Sequence, residues 1–196
     1  MALIIPSNYH KISDVEKNHI SWIEPELAKR QDICPLRIGI LKIMPLGKQY
    51  EFNLLHPLGL SPLQIEPVWI KLKTHSYKTW DLNHLNNLYI TWEEANNPEP
   101  LDGIIITGAP IEHLAFEEVK YWDEFVKIVN EARNSCASTL GLCWAGFALA
   151  YLADVGLLRR RHARRRRLLA HPPPRQRLRH AIGRPRHLEV QGRRRG

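Results

Sequence analysis

Four short apolar runs, separated by polar or amphipathic segments, constrain the fold of this chain more than any other feature. They are LRIGILKIM (36–44), LQIEPVWIKL (63–72), LDGIIITGAP (101–110) and CASTLGLC (136–143). Apolar runs of this length are typical of strands that are buried on both faces of a parallel sheet. The helices are expected between and after them, at 48–59, 82–89, 116–135 and 144–156. This alternation predicts a doubly wound, mostly parallel α/β sheet.

Charge divides the chain near residue 156. Residues 1–156 hold 13 Lys and Arg against 19 Asp and Glu, whereas residues 157–196 hold 15 Arg, no Lys and one Glu. We therefore expect three segments. An N-terminal arm (1–34) with a short helix around 13–30 precedes an α/β domain (35–156), and a disordered Arg- and Pro-rich tail (157–196) follows it.

The tail's narrow composition predicts a frameshift product. If the gene favours G or C at third codon positions, a one-base shift of the reading frame moves these bases to first or second positions. Codons for Arg, Pro, Ala and Gly then dominate. A genuine basic tail that contacts RNA phosphates non-specifically, or an unusual disordered extension, remains an alternative.

No apolar run approaches the 18 residues of a membrane span, and the N-terminal apolar run is too short for a signal peptide. The three cysteines, Cys34, Cys136 and Cys143, form an odd set without metal-type spacing. We expect a reduced, cytoplasmic protein without a metal ion or a bound cofactor.

Cys143 stands where the fourth strand is expected to meet the following helix. Ligands of open α/β sheets bind beyond the carboxyl ends of the strands. A helix N-terminus there stabilises a thiolate, and the N–H of Trp144 can face a developing oxyanion. Small residues at Ala145 and Gly146 would let strand and helix pack closely. This is a nucleophile elbow with sulfur in place of oxygen, and an inert core cysteine is the alternative.

Two longer segments carry a resemblance to a known family. The sequences PLDGIIITGAPIEHLAFEEVKYWDEF (100–125) and STLGLCWAGFALA (138–150) resemble the homoserine O-acyltransferase (homoserine O-acetyl/succinyltransferase) family of methionine biosynthesis. The shorter segments LKIMP, SPLQIE and HLNNLY match at similar separations. The resemblance covers about residues 35–156, and it implies a class I glutamine-amidotransferase-like fold.

The resemblance implies a ping-pong acyl transfer without a cofactor. Cys143 would attack an acyl-CoA thioester, CoA would leave, and the hydroxyl of homoserine or serine would take the acyl group. Thr107, Gly108, Ala109 and Trp144 would line the oxyanion and acyl pocket. The family also suggests a homodimer.

Glu112 lies where the resembled family distinguishes its acyl donors. A glycine there accompanies succinyl-CoA, and a glutamate accompanies acetyl-CoA. Because a carboxylate at this point would repel the free carboxylate of succinate, we expect acetyl-CoA as the substrate.

The family's general base is a histidine in a later Gly-His-Pro-Glu-type segment, oriented by the glutamate. His187 and Glu189 form a His-x-Glu pair, but no strand pattern surrounds them. We therefore expect the base and its glutamate to be absent from this chain, and the chain to be incomplete and inactive. Two other functions stay open: an amidotransferase-like hydrolase that uses Cys143 with a distal histidine, and nucleic-acid binding through the tail.

Overall fold

The computed structural model describes residues 2–45 and 47–154. Their six strands form one parallel sheet in the order β2-β1-β4-β3-β5-β6, which confirms the predicted parallel α/β fold. The strands are β1 (Leu3–Ile4), β2 (Trp22–Ile23), β3 (Leu36–Leu41), β4 (Ile65–Ile70), β5 (Gly103–Ile106) and β6 (Ser138–Gly141). The helices are α1 (Ile12–Lys17), α2 (Pro25–Ala28), α3 (Gly47–Gly59), α4 (Leu82–Leu88), α5 (Trp92–Ala95), α6 (Trp122–Ser135) and α7 (144–154), with a 3₁₀ turn at Phe116–Glu118.

The N-terminal segment differs from the expected arm. Instead of one helix around 13–30, it contains two short helices, α1 and α2, and two strands of the sheet, β1 and β2. Each of these strands is two residues long, too short to produce an alternating pattern in the sequence. The predicted tail at 157–196 lies outside the described residues.

Apolar side chains pack on both faces of the sheet. On one face, α6 and α7 contribute Phe125, Val129 and Ala148 to one core. On the other face, α3 and α4 contribute Leu55 and Leu85 to a second core. The two cores exclude water from the central strands, whereas the expected burial of the fourth strand on both faces is wrong, because β6 is partly exposed and Leu140 is 52% exposed. The carboxyl ends of the strands are where ligands bind in open α/β sheets.

The order of the strands places a crevice beyond β3, β5 and β6. From β3 the chain passes to β4 on one side and then returns to β5 on the other side. At such a reversal the connections that follow two neighbouring strands leave in opposite directions and open a crevice. Ligands bind in this crevice in open α/β sheets. None of the described helices is long and apolar enough to cross a membrane.

Candidate active site

Cys143 occupies a sharp corner between β6 and α7. Its φ of 55° lies in the left-handed region, which residues other than glycine rarely adopt. The residue is exposed, and the helix begins at the next position. A strained strand-to-helix turn that presents an exposed side chain is the geometry of a nucleophile elbow.

Backbone contacts and aromatic packing hold this corner on both sides. The N–H of Leu142 donates to the carbonyl of Ile106 at 2.9 Å, and the N–H of Gly146 donates to the carbonyl of Cys143 at 2.9 Å. The indole of Trp144 is buried and contacts the rings of Phe116, Tyr121, Trp122 and Phe125. These contacts fix the start of α7, and therefore the direction of its N–H groups.

The strand and the helix that flank Cys143 lie unusually close together. A Cβ atom on Gly141 would lie 2.7 Å from the nitrogen of Gly146 and 2.8 Å from the carbonyl carbon of Ala145. Only glycine fits at 141, and the small residues at 145 and 146 permit the approach. The close packing expected from Ala145 and Gly146 is therefore confirmed.

The turn after β5 lies against the corner that carries Cys143. A Cβ atom on Gly108 would lie 2.8 Å from the nitrogen of Trp144 and 3.0 Å from the Cβ of Cys143. Because Gly108 has no side chain, no Cβ atom crowds the Trp144 nitrogen, and the Trp144 N–H donates to no acceptor within the described part of the chain. A substrate oxygen that approaches this N–H could accept a hydrogen bond from it.

Thr107 has a positioning role that its place in the sequence did not reveal. Its side chain is buried, and its hydroxyl oxygen accepts from the N–H groups of Ile43 at 2.8 Å and Met44 at 3.4 Å. It therefore ties the turn after β3 to the turn after β5. The neighbouring Ala109 is buried and lines the same crevice.

The crevice is a cleft of about 1080 Å³. It is lined by Met44, Pro45, Tyr50, Asn53, Leu54, Thr107, Gly108, Ala109, Pro110, Glu112, Leu114, Ala115, Phe116, Leu142, Cys143, Trp144 and Phe147. Among these described residues, Glu112 is the only acidic or basic one, and its side chain is exposed. The cleft therefore has largely apolar walls, with one acidic side chain among its lining residues.

The sequence did not reveal that α3 contributes one wall of the cleft. Tyr50, Asn53 and Leu54 face the cleft from one side of this helix. Their spacing of three and four residues places them on a common helical face. The signal that could have found them is the position of α3 directly after β3, the strand next to the topological reversal.

The other two cysteines do not line the cleft. Cys34 is exposed, and Cys136 lies at the carboxyl end of α6. Burial raises the pKa of the Cys136 thiol, which lowers its reactivity. The histidine and glutamate of the tail, His187 and Glu189, lie outside the described residues, and no histidine is among the described residues that line the cleft.

Known proteins resemble the part of the chain that contains this site. Residues 2–165 match the family model of homoserine O-succinyltransferase. The chain is 41% identical to a homoserine O-acetyltransferase of Bacteroides thetaiotaomicron over 151 residues, which are 77% of this chain and 49% of the relative. It is also 38% identical to homoserine O-acetyltransferases of Jannaschia sp. and Roseobacter denitrificans. The aligned residues make up 77% and 76% of this chain, and 49% and 48% of these two relatives, respectively. The chain thus spans about half the length of these relatives.

Proposed function

Because the chain belongs to the homoserine O-succinyltransferase family, we propose that Cys143 carries an acyl group from acetyl-CoA to the hydroxyl of homoserine. One observation supports this proposal more than any other. The exposed thiol sits at φ 55° on the strand-to-helix corner, and Gly108 keeps the space before the Trp144 N–H open. A nucleophile beside an unpaired N–H donor is what acyl transfer through a tetrahedral intermediate requires.

In the first half-reaction the Cys143 sulfur attacks the thioester carbonyl carbon. A new carbon–sulfur bond forms, and the carbonyl electron pair moves to the oxygen, which accepts a hydrogen bond from the Trp144 N–H. When the carbonyl reforms, the bond to the CoA sulfur breaks, and that sulfur leaves with the electron pair and takes the proton that the Cys143 thiol has given up. The product is an acetyl thioester on Cys143.

In the second half-reaction the homoserine hydroxyl attacks this thioester. An ester bond forms, the bond to the Cys143 sulfur breaks, and that sulfur leaves with the electron pair and takes the hydroxyl proton, which restores the thiol. Homoserine is the acceptor that the relatives' names specify, and serine is the second acceptor to be tested. The proposed reactions belong to methionine and cysteine biosynthesis respectively, and we place them in the cytoplasm because all three cysteines are free thiols.

Glu112 favours acetyl-CoA over succinyl-CoA as the donor. The carboxylate lines the same cleft as Cys143. A succinyl group on the sulfur would bring a second carboxylate into this cleft. Two like charges about 4–6 Å apart repel by roughly 1–2 kcal/mol where water reaches them. An acetyl group carries no charge and avoids this repulsion.

A thiol-release assay tests the first half-reaction. Mixing the chain with acetyl-CoA should release up to one equivalent of CoA in the absence of an acceptor. Cys143→Ala should abolish the release, whereas the matched control Cys136→Ala, a cysteine outside the cleft, should leave it unchanged. Adding homoserine or serine to the acylated protein then shows which one becomes O-acetylated. Equal release from the parent and from Cys143→Ala would reject the proposal.

A further inference from the structure

Three side chains with metal-binding atoms meet at a second place in the fold, outside the Cys143 cleft. His10 precedes α1, Glu51 belongs to α3 and His84 belongs to α4. One potential ligand atom from each lies within 4.8 Å of the other two. None of the three lines the cleft that contains Cys143.

Glu51 is a fully buried carboxylate held by tyrosine hydroxyls. Tyr9 donates to Oε2 at 2.9 Å and Tyr89 donates to Oε1 at 2.7 Å. Burial, together with the Glu51 charge, raises the pKa of both tyrosines above their usual range, so both hydroxyls keep their protons. The buried Lys42 also interacts electrostatically with this carboxylate, and burial lowers its pKa to about 8.

The two histidines approach this carboxylate from one side. The Nε2 of His84 lies 2.7 Å from Oε1, and the Nε2 of His10 lies 3.6 Å from Oε2. Their rings contact edge to face, with centroids 4.6 Å apart. The Nε2 atom of His10 also lies 3.3 Å from the carbonyl oxygen of Lys48, whereas its Nδ1 atom is buried and has no hydrogen-bond partner among the described residues.

We propose that His10, Glu51 and His84 bind one divalent ion of the zinc type. Two imidazoles and one carboxylate suit Zn²⁺ and disfavour Mg²⁺ and Ca²⁺, which prefer oxygen ligands. Ligand bonds of about 2.0–2.1 Å in a tetrahedron place ligand atoms roughly 3.3 Å apart. The observed separations of 2.7 and 3.6 Å run to different oxygens of Glu51, and the three potential ligand atoms lie within 4.8 Å of one another. Binding therefore requires these side chains to rearrange until one oxygen and two nitrogens reach this spacing.

The surroundings complete the site. Tyr9 and Tyr89 orient the carboxylate from outside the ligand shell, the arrangement that tunes metal ligands elsewhere. A second cavity of about 580 Å³, which His10 and His84 line, gives the ion a route of entry and a fourth ligand position for water. The bound ion would tie the N-terminal segment to α3 and α4. Zn²⁺ at about 100 times its Kd should raise Tm by roughly 5–10 °C.

Titration of Zn²⁺ into the full, chelator-treated chain tests this site. The parent should bind one equivalent of Zn²⁺, and Co²⁺ should give the intense visible bands of a four-coordinate ion. His10→Gln and His84→Gln should each weaken binding by at least about 100-fold, more than is typical for losing an outer partner. His19→Asn is the matched control, because His19 is exposed and asparagine tolerates its φ of 55°. That variant should bind as the parent does.

Two outcomes would overturn the proposal. One is no Zn²⁺ binding by the folded parent, which would leave a hydrogen-bonded network only. The other is binding that both histidine variants retain, which would assign the ion to other ligands. X-ray absorption of the Zn²⁺-loaded parent requires no variant. It should show two imidazole nitrogens, and a sulfur-rich ligand shell would contradict the proposal even if a variant failed to fold.

Discussion

Replacing Gly108 by alanine adds one methyl group beside the Trp144 N–H of the proposed active site. The new Cβ would lie 2.8 Å from the Trp144 nitrogen, 3.0 Å from the Cys143 Cβ and 3.0 Å from the Leu142 carbonyl oxygen. All three atoms belong to the backbone or to a Cβ, so no flexible side chain can yield. The methyl group would fill the space in which the thioester oxygen is proposed to accept its hydrogen bond.

The expected loss combines two effects. Removing an oxyanion donor slows acyl transfer by about 10²–10³-fold, equivalent to roughly 2.7–4 kcal/mol. Overpacking lowers the free energy of unfolding by about 1–3 kcal/mol. The assay is the single-turnover rate of Cys143 acetylation by acetyl-CoA, measured by mass spectrometry on folded protein.

Gly103→Ala provides the matched control. It makes the same substitution in β5, but its new Cβ would meet the flexible Ile38 side chain at 3.3 Å. The Gly103 variant should acetylate at a rate close to that of the parent. Alkylation of Cys143 by iodoacetamide separates a blocked thiol from a lost donor, because alkylation forms no oxyanion. If folded Gly108→Ala acetylates as fast as Gly103→Ala, the oxyanion argument is refuted.

Three further predictions concern substitutions of Glu112, Cys143 and Glu93. Glu112→Gln should raise the rate of Cys143 acylation by succinyl-CoA by roughly 5–30-fold, because it removes about 1–2 kcal/mol of repulsion, and should leave the acetyl-CoA rate nearly unchanged; an unchanged succinyl-CoA rate would contradict this. Cys143→Gly should relieve the left-handed strain and raise the free energy of unfolding by about 1 kcal/mol, visible as an increase of roughly 2–4 °C in Tm; a lower Tm would contradict the strain argument. Hydrogen bonds from Lys73 and Lys127 lower the pKa of Glu93 from 4.5 to about 2, so these ion pairs stabilise the fold above about pH 4.5 and lose their effect as the pH falls toward 2. Since the Glu93 side chain is 48% exposed, these ion pairs should contribute less than about 1 kcal/mol to the free energy of unfolding. Glu93→Gln should therefore make the free energy of unfolding less dependent on pH between about 2 and 4.5. The same pH dependence in the variant and the parent would refute this prediction.

The part of the fold that could be predicted is the part built from long apolar runs. β3, β4, β5 and β6 lie within the four runs that the sequence marks, and Cys143 lies at the expected corner. The predicted helix over 116–135 is divided, because a 3₁₀ turn at Phe116–Glu118 precedes α6. Its first residue, Phe116, packs on Trp144 instead of continuing the helix.

Contacts between distant segments could not be predicted from local patterns. β1 and β2 are stabilised by neighbours in the sheet, not by a periodicity of their own. Glu51 is separated by dozens of residues from both His10 and His84, so no motif spacing marks their meeting. The hydrogen bonds that Ile43 and Met44 donate to the Thr107 hydroxyl could not be predicted for the same reason, because they join turns after two different strands.

Acyl transfer at Cys143 is tested most directly by the mass of the peptide that contains this residue after incubation of the chain with acetyl-CoA alone. We expect one added acetyl group on this peptide. The group should be released by hydroxylamine, as a thioester is, and absent from the peptides that contain Cys34 and Cys136. An unmodified Cys143 peptide in folded protein, or equal acetylation of all three cysteines, would contradict the claim that this corner of the sheet is built for acyl transfer.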